Sequence, residues 1–276
     1  MGVEKETEQM NEFEIPSRIA SWMFAKYHTK NFSTIPRRCD GFIISRDLYL
    51  EMLKDTNECP VCEGAGWYVF RGVPLDCPCK TLQYEYTQYQ PILRRYASSY
   101  RKGKKIDDIS TSHLDHLAAT KMQGIKVAFE GWISNPKNWV ILYGNPGCGK
   151  SHFLEAIADA FFPIALYLSA EEFNSKIRKA VGTNTLDELV TDVKGIPILL
   201  FDDWGTGYDS EFTISTLRAV LQHRYNHAKE LPTIVTTNMD QYDMRILDPR
   251  LADRLLEVAK WVDMTSIPSY RGMVNL

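Results

Sequence analysis

The chain has 276 residues, 44% of them hydrophobic and 24% charged, with a formal net charge of -3. That balance suits a globular chain able to bury a full core and excludes a histone-like polycation, although a local basic strip on a nearly neutral surface still neutralises phosphates. No apolar run reaches the ~18 residues a bilayer span needs, and the start Met1 to Glu6 lacks the blocks of a signal peptide, so the expectation is a cytoplasmic protein with no membrane partner and reduced thiols.

The length admits one large domain or two smaller ones, and the pattern divides the chain into 1–90, 91–112 and 113–276. After a polar start, Ile19, Met23, Phe24 and Tyr27 recur at helical spacing, and Arg46 to Leu53 predicts a second helix. Neither carries legible chemistry. Cys59-Pro60-Val61-Cys62 and Cys77-Pro78-Cys79 follow, with Gly64 and Gly66 suited to the tight turn after the first pair. Trp67 to Phe70 and Val73 to Leu75 read as a small hairpin that returns the chain to the second pair. Four clustered thiolates match the tetrahedral geometry of structural Zn2+, and a bound zinc can supply ~10 kcal/mol or more of folding free energy to a module too small for a core of its own. Two disulfides or four idle thiols are the alternatives. A reducing compartment and the poor geometry of C-x-C for an internal bridge weigh against the first, and the clustering weighs against the second. Cys39 and Cys148 stand apart.

The run Arg94-Arg95-Tyr96-Ala97-Ser98-Ser99-Tyr100-Arg101-Lys102-Gly103-Lys104-Lys105 holds six basic residues and no acidic one. A solvated linker with a glycine hinge is the plainer reading of such a run. The sharper one is a single-stranded nucleic-acid contact, with cations along the phosphates and tyrosines stacked on bases. Leu114 to Phe129 predicts a helix that packs first against the core that follows.

Gly144-Asn145-Pro146-Gly147-Cys148-Gly149-Lys150-Ser151 fits the phosphate-loop pattern G-x-x-x-x-G-K-[ST] at every fixed position. An apolar run, Trp139 to Tyr143, precedes it, and a helical pattern from His152 to Phe161 follows. Strand, glycine loop and helix together turn a pattern into a site. The glycines let backbone N–H groups approach a polyphosphate, and the new helix points its positive end at the same oxygens. Lys150 then reaches the β- and γ-phosphates, and Ser151 offers its hydroxyl to a bridging Mg2+.

Pro163 to Leu168 predicts a buried strand, with Ser169 capping the next helix and Glu172 at the position a capping box prefers. Ile196 to Phe201 predicts another, ending in Asp202-Asp203. A strand buried on both faces delivers Asp202 beside Ser151, to hold the magnesium, and Asp203 to the γ-phosphate, to orient or deprotonate a water. Pro232 to Thr237 is a further strand whose tip, Asn238, either hydrogen-bonds that water or the γ-phosphate, or merely forms a turn. Strands alternating with helices at these intervals predict a parallel sheet wrapped on both faces, with the site at the carboxyl ends. Arg250 and Arg254 sit four apart on one face of a predicted helix, either as surface ion-pair partners or as a finger reaching a neighbouring subunit's nucleotide.

The phosphate loop, Phe201-Asp202-Asp203-Trp204-Gly205, Thr236-Thr237-Asn238, Arg250 and Arg254 in R-x-x-x-R-L, and Ser269-Tyr270-Arg271 together resemble AAA+ ATPases of the DnaC and DnaI helicase-loader group, with the IstB transposition ATPases close by. The resemblance covers residues 106–276 and implies a five-stranded AAA+ domain that binds ATP between subunits. It gives Asp202 and Asp203 the Walker B roles, makes Asn238 sensor 1 and Arg254 the finger, and brings Arg271 to the nucleotide as a sensor 2 substitute. Residues 171–193 would supply the helical extension of initiator-type members. It also implies a DnaB-like helicase hexamer as partner of the N-terminal module, with single-stranded DNA as the track. Two features depart from the pattern. Asp203 stands where a glutamate is usual, which points to slow turnover, and the chain after Arg254 is too short for a full helical lid. An IstB-like ATPase on duplex DNA and a nucleotide-gated adaptor with negligible hydrolysis are the other readings.

Overall fold

Five parallel strands organise the second part of the chain, β3 (Trp139–Tyr143), β4 (Ala165–Ser169), β5 (Ile198–Trp204), β6 (Thr233–Thr237) and β7 (Ala259–Asp263), and they lie in the order β4-β5-β6-β3-β7. The computed structural model describes residues 65, 67–70, 73–76, 78–162, 164–205 and 211–271. Their contacts fall into two units, Met1–Tyr84 and Glu85–Leu276.

In the first unit β1 (Trp67–Phe70) and β2 (Val73–Asp76) form the antiparallel hairpin the sequence predicts, with Trp67 opposite Asp76. Cys59, Cys62 and Cys77, and the two candidate helices before them, lie outside the described residues. Cys79 falls in the first turn of α1 (Pro78–Tyr96).

In the second unit the strands alternate with α2 (His116–Ser134), α3 (Lys150–Ala160), α4 (Ala170–Thr183), α5 (Leu186–Gly195), α6 (Glu211–Asn226), α7 (Gln241–Leu247) and α8 (Pro249–Val258). Alternate side chains of each strand point to opposite faces, so a strand covered on both sides reads as a continuous apolar run. Val140 and Leu142 join Phe153, Ile157, Met122 and Phe129 under α2 and α3. Trp139 and Ile141 join Phe173, Leu189, Leu217 and Leu255 under α4, α5, α6 and α8.

Several boundaries differ from the sequence reading, each for a local reason. The first core helix begins at His116, because the Asp115 carboxylate accepts from Ala118 N–H, and it runs to Ser134. The predicted extension is two helices, because Asn184 adopts φ 55 and ends α4. Ser169 does cap α4, accepting from Glu172 N–H at 3.3 Å, but the Glu172 carboxylate pairs with Lys176 at 3.4 Å.

The basic stretch after α1 has its backbone laid on the core. Ser98 N–H donates to the Tyr167 carbonyl at 2.8 Å, and Ser169 N–H donates to Ser98 Oγ at 2.9 Å. These bonds cover the open edge of β4, which would otherwise be a template for unwanted strand pairing. Farther on, Ile106 and Ile109 are buried, and the Lys126 ammonium donates to the carbonyls of Asp107 and Ile109 at 3.2 and 3.0 Å.

Arg224 ties the opposite end of the sheet. It is fully buried and donates to the carbonyls of Val193, Lys194, Ile196, Pro197 and Pro232 and to Thr233 Oγ1. Burial pulls its pKa down to about 9, which leaves it cationic at neutral pH. The last carbonyls of α5 carry that helix's partial negative charge, so the cation is placed where it is favourable.

Candidate nucleotide site

The chain turns from β3 into α3 through a loop whose geometry only glycine tolerates. Gly147 and Gly149 have φ 84 and 99, where a side chain is strained, and Gly149 is the N-cap of α3. Gly144 is fixed by crowding, since a Cβ there would stand 2.7 Å from the Met264 carbonyl carbon. The first-turn amides of α3 have no intrahelical acceptor and carry the helix's partial positive charge.

Lys150 is 5% exposed, and its ammonium donates to the carbonyls of Gly144 and Asn145 at 2.7 and 3.0 Å and to Asn238 Oδ1 at 2.8 Å. The loop lysine and the tip of β6 therefore meet. Cys148 is wholly buried beneath the loop, and burial pushes its thiol pKa up, so it packs as a small apolar group. His152 is turned away from the loop. Its Nε2 lies 3.0 Å from the Lys105 carbonyl oxygen, and its amide donates to Gly149 at 3.1 Å. Ser151 is half-buried in the first turn of α3.

Asp202 lies near the carboxyl end of β5 and is 4% exposed. The Tyr167 hydroxyl donates to its Oδ2 at 2.6 Å, and the Thr236 hydroxyl donates to its Oδ1. Both neighbouring strands thus hold the carboxylate in one orientation. Burial, with Asp202 next, pushes the Tyr167 phenol pKa far up, so it remains a donor. At Asp203 the register with β6 breaks, and the residue adopts φ 57, a left-handed conformation that Asp tolerates better than most residues. Its N–H donates to Thr236 Oγ1 at 2.9 Å, and its side chain reaches solvent at the carboxyl end of the sheet. The protein crowded about that carboxyl, then the Asp202 charge, raise its pKa above the ordinary 3.8, against the opposing pull of Lys150 and Arg271.

Residues 264–271 return over the loop. Tyr270 N–H donates to the Gly147 carbonyl at 2.9 Å, and Asn145 Nδ2 donates to the Thr265 carbonyl at 3.0 Å. The Tyr270 hydroxyl donates to the Ser110 carbonyl at 2.9 Å, and its ring meets His113 edge-on at 4.3 Å. A Cβ on Gly147 would fall 2.1 Å from Ser269 Oγ and 3.3 Å from Arg271 Cγ, so this segment and the loop are in close contact. Arg254 lies over the Tyr225 ring at 5.9 Å, on the last turn of α6, and Arg250 is exposed on α8. The structure gathers Lys150, Asp202, Asp203, Asn238 and Arg271 about one loop, while Arg250 and Arg254 stand on a different helix.

The donors suit a magnesium-bound triphosphate: an anion cradle of glycine amides, one lysine, a hydroxyl and a fixed carboxylate, with phosphates left to complete the metal's ligands. Sequence reasoning gave Tyr167 no part in this site, and it quoted Thr236 and Tyr270 within motifs without assigning either a role.

Residues 116–259, just over half of the chain, match the bacterial DnaA ATPase domain. The chain belongs to that family. The DnaA of Enterococcus faecalis is 27% identical over 143 residues, which is 49% of this chain and 30% of that protein. The replicative helicase loader DnaI of Bacillus subtilis is 31% identical over 111 residues, 38% of this chain and 34% of its own. The matched stretches span about a third of these relatives' lengths. Domain III of the Thermotoga maritima initiator DnaA superposes with a TM-score of 0.50 at 16% identity, covering 60% of this chain and 69% of that one. The AAA+ ATPase resemblance carried by the motifs is borne out. No helix among the described residues is long and apolar enough to cross a membrane.

Proposed function

We propose that the chain is an ATP-dependent loader that places a hexameric, DnaB-like helicase on single-stranded DNA at the start of replication. One observation carries the nucleotide half of this reading: Lys150, Asp202, Asp203 and Asn238 come together from the ends of three adjacent strands. The helicase half rests on the likeness to DnaI.

Lys150 would exchange its two loop carbonyls for β- and γ-phosphate oxygens. Ser151 and Asp202 would hold Mg2+, which when bound neutralises charge on those phosphates. Asp203 orients the attacking water and takes up its proton, and Asn238 links that position to Lys150. Arg271 adds positive charge from the chain's own returning segment. Arg254, with Arg250 one turn earlier, would complete a neighbouring protomer's site in an ATP-dependent oligomer. A side chain one methylene shorter than glutamate at 203 makes turnover slow, so hydrolysis acts as a release switch. Residues 1–90 dock the helicase, 91–112 join them to the ATPase core in 113–276, and Cys59, Cys62, Cys77 and Cys79 hold a structural zinc.

The test is capture of a hexameric helicase by the full chain in ATP, with zinc measured in the same sample. The reading predicts retention in ATP, release on hydrolysis, one zinc per chain, and loss of both zinc and helicase in Cys59→Ser/Cys62→Ser. Failure to retain a helicase, together with preference for duplex over single-stranded DNA in ATP, would instead favour the transposition-type reading.

A further inference from the structure

We infer that a half-open cavity of about 370 Å³ beside the edge strand β4, between the end of α1 and the start of β4, is a binding site for single-stranded nucleic acid, taking one base while the flanking phosphates lie on exposed cations. The inference rests on the proposed function for its choice of track. Its walls include Leu93, Arg94, Tyr100, Lys102, Phe162 and Tyr167. The volume falls in the range of about 300–1,000 Å³ typical of small-ligand sites, so one nucleotide fits and a stacked duplex does not enter.

The arrangement of charge is what selects the ligand. Two carboxylates of α3, Glu155 and Asp159, face the basic stretch, and they are spent on groups other than its cationic side chains. Glu155 accepts from Arg101 N–H at 3.4 Å, while Asp159 accepts from Gly103 N–H and, at 3.1 Å, from the Tyr100 hydroxyl. The side chains of Arg94 and Lys102, which line the cavity, are left in solvent, as are those of Arg101 and Lys105 on the same stretch. With its hydroxyl engaged, Tyr100 offers its ring, set 5.4 Å from that of Tyr167, and Phe162 is 38% exposed at the same wall. Cations for phosphates and ring faces for a base are the two elements of sequence-tolerant single-strand binding. An acidic peptide would use the cations but leave the aromatic wall without a partner.

The full chain is titrated with fluorescein-labelled oligo(dT) by anisotropy over a range of salt, and with a fluorescent ATP analogue in parallel. Replacing Arg94→Ala and Lys102→Ala together should weaken oligo(dT) binding at least about tenfold and flatten the plot of log affinity against log salt by about 1.4, the loss of two phosphate contacts on a single strand. Phe162→Ala should weaken oligo(dT) several-fold and leave an abasic oligonucleotide of equal length unaffected. Unchanged oligo(dT) affinity and salt slope in the double variant would overturn the inference, as would displacement of the strand by polyglutamate at equal charge, which would mark an acidic protein as the ligand. Retained ATP-analogue binding in each variant separates failure of this site from failure of the nucleotide site.

Discussion

Asp203 bears the sharpest conflict between stability and chemistry in the site. Its raised pKa means that the folded chain binds a proton there more readily than the unfolded chain does, so holding the carboxylate ionised at neutral pH costs stability. That cost is relieved as pH falls from the raised value toward 3.8. Asn keeps the shape and also tolerates φ 57. Asp203→Asn should therefore raise the melting temperature at neutral pH while cutting phosphate release about 10²-fold or more, with ATP still bound. In the parent chain the acid limb of kcat/KM, which reports the nucleotide-free protein, should lie above the ordinary aspartate range. Asp202 and Asp203 were legible because an apolar run ending in two acids, downstream of a phosphate loop, has few other uses. Tyr167 and Thr236 were not, since a donor that meets Asp202 from 35 or 34 residues away becomes visible only once strand order and register are known.

At the scale of elements, the phosphate loop depends on the segment that returns over it. Gly147→Ala would force φ 84 on a residue with a Cβ and drive that atom into Ser269, so it should weaken ATP-analogue binding and loosen residues 264–271. Hydrogen exchange at Tyr270, whose amide is held by Gly147, would report the loosening. Arg224 plays the corresponding part at the other end of the sheet. Arg224→Met would leave buried carbonyls of α5 and of the entries to β5 and β6 without donors, so the unfolding free energy should fall by at least about 3 kcal/mol, read from the urea midpoint. The strand that sequence reasoning failed to place is β7. In Ala259-Lys260-Trp261-Val262-Asp263 the edge position leaves every residue half-buried or exposed, so no apolar run marks it. β3, β5 and β6 are central and buried on both faces, and their runs announced them.

For the whole molecule, the order β4-β5-β6-β3-β7 explains why one end of the sheet does the chemistry. The chain leaves β3 through α3 toward β4 and leaves β6 through α7 and α8 toward β7, so the connections part there and open a crevice at the carboxyl ends. Lys150, Asn238 and the aspartate pair stand at its mouth. The reading as a nucleotide-switched loader depends on a triphosphate entering that crevice. The most direct test is a titration of the full chain with a fluorescent ATP analogue, with and without Mg2+, alongside Lys150→Ala. The account predicts saturable, magnesium-strengthened binding that Lys150→Ala weakens at least about tenfold, the loss of charge-assisted hydrogen bonds to phosphate. Equal binding by the two proteins, or none by either, would contradict it.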